Sequence, residues 1–146
     1  MKDLGNGYFL SEDKSLLQHT VIHEFLSKHS YWAKNIPMQV VEKSILGADC
    51  VGVYHEGKQV GFARFITDYA TFAYLADVFV LPAHRGKGLS KAMVAHFISN
   101  EYASGLRNIM LGTQDAHTLY EQFGFTIVKD PKRYMSIFRM NIYEKG

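Results

Sequence analysis

Between an apolar run and a helix-like segment the chain reads Leu81-Pro82-Ala83-His84-Arg85-Gly86-Lys87-Gly88-Leu89-Ser90-Lys91. Two glycines and four side chains able to carry positive charge share one turn, the composition of a site for an anion. N–H groups in the first turn of a helix lack intrahelical acceptors and lie at the positive end of its dipole, so a phosphate there is hydrogen-bonded and charge-matched together. Gly86 and Gly88 let the main chain approach a diphosphate, Arg85 and Lys87 add charge, and Ser90 offers a hydroxyl. Two commoner phosphate loops are not completed: Lys87 precedes Gly88, against the order of a Walker loop, and Lys91 stands where a dinucleotide fingerprint needs glycine. A solvated basic turn that happens to contain glycines is the plain alternative.

The elements around this turn are readable from periodicity. A short strand is expected at Tyr8 to Ser11, then an amphipathic helix carrying Leu17, Val21 and Phe25 with Ile22 and Leu26, broken at Ser30-Tyr31-Trp32. A second helix follows Pro37, turns Val41, Ile45 and Leu46 inward and ends at Gly47. Three β-rich segments, Cys50 to Tyr54, Gln59 to Thr67 and Phe72 to Val80, are joined by short turns and form an antiparallel meander. The third is apolar except for Asp77, as suits a central strand covered on both faces. Leu89, Met93 and Phe97 mark the helix after the turn, and Arg107 to Gly112 the strand after that, which makes a parallel crossover. A last helix with Ala116, Leu119, Tyr120 and Phe123 on one face is expected to begin at a cap from Asp115 and to stop at Gly124. The tail, Tyr134 to Tyr143, reads as strand. With no internal repeat and no dividing linker, positions 1–146 are expected to form a single domain of α/β (α+β) class, a mixed sheet of six to seven strands flanked by about four helices.

Composition bounds the function. The chain has 146 residues, 47% hydrophobic and 14% aromatic, enough to bury a core. Its 16 basic and 14 acidic residues give a net charge of +2, too balanced for whole-surface binding of nucleic acid or anionic lipid, so any anion site is local. The one cysteine, Cys50, has no disulfide or metal partner at cysteine spacing, which points to a reducing, cytoplasmic setting. No signal-like or membrane-spanning stretch is read, and His19 and His23, four apart, lack a third ligand, so no metal is expected.

Two blocks together resemble the GNAT superfamily of acyl-CoA-dependent N-acetyltransferases. Its signature, [QR]-x-x-G-x-[GA], is met by Arg85 and Gly88, with Ser90 in the last place. The block Ala116-His117-Thr118-Leu119-Tyr120-Glu121-Gln122-Phe123-Gly124-Phe125 is similar to its A-x-x-L-Y-x-x-x-G-F. Thr113 departs from an asparagine that contacts the cofactor in many relatives. The resemblance covers most of the chain from Cys50 to Phe125.

The resemblance implies acetyl-CoA as co-substrate, bound by Arg85, Gly86, Lys87, Gly88, Leu89, Ser90 and Lys91 and by the main chain of Val78, Phe79 and Val80, with an N–H of Phe79 or Val80 as oxyanion donor. Tyr120 would sit beside the coenzyme sulfur as the acid that protonates the thiolate, since a phenol stays protonated at neutral pH. A core tyrosine on an apolar helix face is its plain alternative. Asp77 is the candidate base; holding a loop or binding a cationic substrate are its other roles. Tyr31, Trp32 and Asp68 are the acceptor-binding candidates, with Arg64, Tyr69 and His117 nearby in the reading. The acceptor implied is a small cationic amine, with a homodimer allowed for and neither nucleic acid nor membrane as partner. A non-catalytic acyl-CoA-binding module is the alternative function.

Overall fold

The computed structural model describes residues 1–144. Its strands are β1 (Lys2–Gly5), β2 (Tyr8–Ser11), β3 (Asp49–His55), β4 (Lys58–Thr67), β5 (Phe72–Val80) and β6 (Asn108–Met110), and its α-helices α1 (His19–Glu24), α2 (Met38–Leu46), α3 (Leu89–Ile98) and α4 (His117–Glu121). The six strands form one sheet in the order β1-β2-β3-β4-β5-β6. All neighbours are antiparallel except β5 and β6, which α3 joins in parallel.

Each face of the sheet carries its own core. Val51, Val53, Phe65 and Leu75 pack with Met93, Val94 and Phe97 of α3, whereas Cys50, Phe62 and Phe79 pack with Ile22, Phe25 and Leu26 around α1 and with Val41 and Ile45 of α2. Alternation along each strand therefore supplies both layers from the same backbone. α1 passes into a wider turn of helix, Phe25–His29, that ends at Ser30, where the break in apolar spacing was expected. The strand and helix bounds expected for β2, β3, β4, β5, α2 and α3 match to within a residue or so. No helix of the described residues is long and apolar enough to cross a membrane.

Four expectations are corrected. The strand β1 was not expected, because Lys2-Asp3-Leu4-Gly5 offers a single apolar side chain; it pairs with β2 through an Asn6-Gly7 turn in which both residues have positive φ, 53° and 82°. The strand expected over Arg107 to Gly112 shrinks to Asn108–Met110. Asp115 does not cap α4, which has no side-chain cap; the Thr113 hydroxyl instead accepts from Asp115 N at 3.3 Å and Ala116 N at 3.0 Å in the turn ahead of it. Tyr134 to Tyr143 joins no ladder and runs as irregular chain after a turn at Pro131–Arg133, because a strand needs a paired neighbour and none adjoins it.

Candidate active site

The site begins where β5 and β6 part. They pair only at Phe72 with Asn108, Ala73 with Ile109 and Tyr74 with Met110, and β5 then continues to Val80 with no strand on that side. Leu81 N donates to Val60 O on β4 at 2.8 Å, and in an antiparallel ladder the residues alternate in the edge they face. Val80 therefore turns its N–H and C=O to the open side, while Phe79 faces β4. On that open side Arg85 Nε donates to Val80 O at 2.9 Å, which ties the glycine turn to the end of the strand.

From Gly86 to Lys91 no backbone N–H finds an acceptor among the described residues. Gly86 and Gly88 have φ of +77° and +76°, the left-handed region that an L side chain resists, and this aims successive N–H groups to one side. Beside them lies a cavity of about 210 Å³ lined by Val80, His84, Arg85, Ser90, Lys91 and Leu119 among others. These residues fit a diphosphate: unpaired donors, a ten-residue helix starting at Leu89, and cationic side chains at its edge.

α4 carries Tyr120, which is buried, with its phenol pushed up to about 12 by burial first and by Tyr31 and Asp115 after it; it lines a cleft of about 910 Å³ with residues 107–113. The segment between α1 and α2 closes the other side. Tyr31 Oη accepts from Gln114 N at 3.0 Å, Trp32 Nε1 donates to Asp77 Oδ1 at 2.8 Å, and the two rings meet edge to face with centroids 4.9 Å apart. Asp77 itself is in a bulge of β5 with φ of +55°. Its second oxygen accepts from Arg64 Nε at 2.8 Å, in a pair whose side chains are 15% and 10% exposed for Arg64 and Asp77.

A family model described as an acetyltransferase (GNAT) domain matches residues 47–127. A protein of Gibberella zeae named as a candidate acetyltransferase is 34% identical over 135 residues, covering 77% of this chain and 75% of the relative. The chain belongs to the GNAT acetyltransferase family. A GNAT-family crystal structure from Xanthomonas campestris pv. campestris, likewise a candidate acetyltransferase, is 45% identical with a TM-score of 0.92, over 94% of this chain and 97% of that one. Glucosamine-6-phosphate N-acetyltransferase from Arabidopsis thaliana shares the fold at a TM-score of 0.63 and 14% identity, covering 90% of this chain and 97% of its own. Relatives so named support an acetyltransferase activity.

Within this GNAT fold, Tyr31, Trp32, Asp77 and Arg64 are joined by ring contact, hydrogen bond and ion pair, and Tyr120 and His117 line the cleft beside β6. Asp68 is not brought there. It closes the turn between β4 and β5, accepting from Ala70 N, Thr71 N, Phe72 N and the Thr71 hydroxyl, and those bonds hold its carboxyl below the usual carboxylate range. That turn is at the Phe72 end of β5, a full strand length from the glycine turn beyond Val80. Tyr69 bonds Asp49 and is likewise remote. The Thr113 hydroxyl is occupied by the N–H groups of Asp115 and Ala116, just ahead of α4. His19 faces Glu42 and His23 bonds Ile36 O, and no cluster of three metal-ligating side chains is present among the described residues. Sequence reasoning missed Gln114, whose backbone N–H closes the site onto Tyr31, and Asp115, whose charge reaches Tyr120; the only signal was their place just before the Ala116 block.

Proposed function

We propose that this GNAT acetyltransferase moves an acetyl group from acetyl-CoA to the primary amine of a small cationic acceptor, by direct attack in a ternary complex in the cytoplasm. The observation that carries the reading is the parting of β5 from β6 after three residue pairs, with unpaired N–H groups from Gly86 to Lys91 beyond the end of β5, and with Tyr120 buried on α4.

Acetyl-CoA would supply an acyl group on a thiol leaving group. The N–H groups of Gly86 to Lys91 hold its diphosphate, and Arg85, Lys87 and Lys91 add positive charge. The open edge of β5 offers main-chain partners to an extended arm, and the Val80 N–H, which faces the gap, is the oxyanion donor; such a donor is worth roughly 3–4 kcal/mol where it has been removed from other enzymes. Tyr120 keeps its proton at Oη through the neutral range, because burial pushes the phenol to about 12, and gives it to the sulfur as the bond to carbon breaks.

Both oxygens of Asp77 are already engaged by Trp32 and Arg64. That supports a positioning role: the carboxylate fixes the Trp32 ring that walls the acceptor, and water takes the proton of the amine. Asp115, whose charge reaches Tyr120, contributes negative charge, which favours a cationic acceptor.

The test is to incubate the protein with acetyl-CoA and a panel of polyamines, amino sugars and amino acid amides, and to follow free thiol. Thiol release that depends on both the amine and Tyr120 is expected. Heat of coenzyme binding without release on any amine would replace this reading with a non-catalytic acyl-CoA-binding module.

A further inference from the structure

His84 forms part of the wall of the cavity of about 210 Å³ beside the glycine turn. Its backbone is fixed at the end of the short helical turn Pro82–His84, where its N–H donates to Leu81 O at 2.9 Å. Its ring is fixed as well: Nδ1 is hydrogen-bonded at 2.7 Å to the hydroxyl of Tyr8, 76 positions away in sequence. Tyr8 is buried and is not part of the cavity wall. Nε2 is therefore the ring nitrogen left for the cavity, and it has no partner among the described residues.

Two hairpins hold Tyr8 in turn. On β2 it stands opposite His55 at the end of β3, and the two rings stack with centroids 4.4 Å apart. The His55 ring is 5.5 Å from that of His84. The turn between β1 and β2 also lies against His55, for a Cβ placed at Gly7 would stand 3.5 Å from its ring. The N-terminal hairpin is thus joined to the glycine turn through three aromatic rings.

The partner on Nδ1 decides what Nε2 can do. When the phenol donates to Nδ1 of a neutral ring, the ring proton is on Nε2; when the ring is cationic, both nitrogens carry hydrogen and the phenol accepts. Nε2–H is a donor in either state, and an anion in the cavity selects these two over the tautomer with a bare Nε2. No carboxylate is within ion-pair distance of the His84 ring among the described residues to compete for that donor. Arg85, Lys87 and Lys91 are exposed and act through water, whereas His84 is half-buried and held.

We infer that His84 Nε2–H donates to the diphosphate of the coenzyme, and that Tyr8, backed by His55, is the positioning residue that holds the imidazole there; this rests on the proposed use of acetyl-CoA. The N-terminal hairpin then belongs to the coenzyme site, although no residue of it lines the cavity.

The experiment is calorimetry on the full chain with coenzyme A and with dephospho-coenzyme A, which lacks the phosphate on the ribose but keeps the diphosphate. The amide nitrogen of Gln can stand near the place of Nε2, and that of Asn near the place of Nδ1. His84→Asn keeps a group for Tyr8 and loses the donor to the anion, so Kd is expected to rise about tenfold for both ligands. His84→Gln should hold Kd within about threefold of the wild type. Tyr8→Phe keeps the stacked ring and should raise Kd about threefold, yet add nothing in a chain that already carries His84→Asn. Tight binding by His84→Asn with weak binding by His84→Gln would make the bond to Tyr8 merely structural, and overturns the inference. A loss confined to coenzyme A places the imidazole on the ribose phosphate and overturns it too, as does a Tyr8→Phe effect that adds in full to that of His84→Asn. If His84→Asn fails to fold, Tyr8→Phe decides, and wild-type affinity there overturns the positioning. A wild type that gives no heat with either ligand sinks the coenzyme reading itself; wild-type binding unchanged in the variants sinks this inference alone.

Discussion

The indole N–H of Trp32 donates to Asp77 Oδ1 at 2.8 Å, joining the segment between α1 and α2 to the bulge in β5. Asp77 cannot swing away, because Arg64 holds its other oxygen at 2.8 Å and the bulge fixes its backbone. The aromatic pair Tyr31 and Trp32 is thus hung on a nearly buried ion pair.

Trp32→Phe keeps the ring and deletes the donor. For a half-exposed bond to a carboxylate a loss of about 1 kcal/mol is expected, roughly fivefold in the KM of the amine, with the KM of acetyl-CoA unchanged within twofold. Steady-state kinetics varying each substrate in turn check this; an equal rise in both constants would mean that Trp32 supports the fold and not the acceptor.

Tyr120→Phe tests the acid. Positioned proton donors contribute about 10²- to 10⁴-fold, and a loss of kcat in that range is expected with little change in coenzyme binding. The pH profile carries a second sign. Since the phenol is pushed up to about 12, the wild-type rate rises as the acceptor amine deprotonates and shows no fall from Tyr120 ionising below about pH 11. A descending limb near pH 9 that vanishes in the variant would contradict the burial of this hydroxyl.

Gly88→Ala separates backbone conformation from space. No heavy atom lies within 4 Å of where a Cβ would stand at Gly88, so the cost is torsional, arising from φ of +76°. An L residue there loses about 1–2 kcal/mol, or relaxes and turns its N–H groups off the ligand. Acetyl-CoA KM should rise about tenfold, with the melting temperature falling by roughly 3–5 °C. Gly57, in the turn between β3 and β4, has φ of +77° and equally open space, so Gly57→Ala is the control: the same thermal loss with unchanged KM.

How far the molecule was legible beforehand follows from where its signals lie. β3, β4, β5 and α3 are bounded by glycine, proline and Asp-containing turns and filled with periodic apolar residues, so local pattern and tertiary packing agree there. Asp77 advertised itself as the one charge in an apolar strand, yet its partners sit 13 and 45 positions away, and the bulge that aims it has no local signature. Asp68 went the other way. Its Asp-Tyr-Ala-Thr setting is that of a side chain capping its own turn, a local reading that outweighs a remote role in substrate binding. For Tyr134 to Tyr143 the apolar pattern reads as strand, yet the segment joins no ladder, because periodicity does not supply a paired neighbour.

Stability at alkaline pH gives a prediction free of any substrate. Burial pushes the Cys50 thiol from 9.0 up to about 11, and Tyr54, also chiefly by burial, from 10.0 up to about 12. The folded chain therefore holds protons that the unfolded chain has released, and stability present below pH 9 is lost as pH rises through 11 for Cys50, and between 10 and 12 for Tyr54 and Tyr120. Cys50→Ala removes the first of these losses and leaves the other two. The urea midpoint of the wild type should fall more steeply than that of Cys50→Ala between pH 9 and 10.5, while the two curves run parallel from pH 6 to 8, offset by the small cavity left near Ile45. Parallel curves over the whole range would mean that the thiol titrates alike in the folded and unfolded chain, and so that this face of the sheet is open to water.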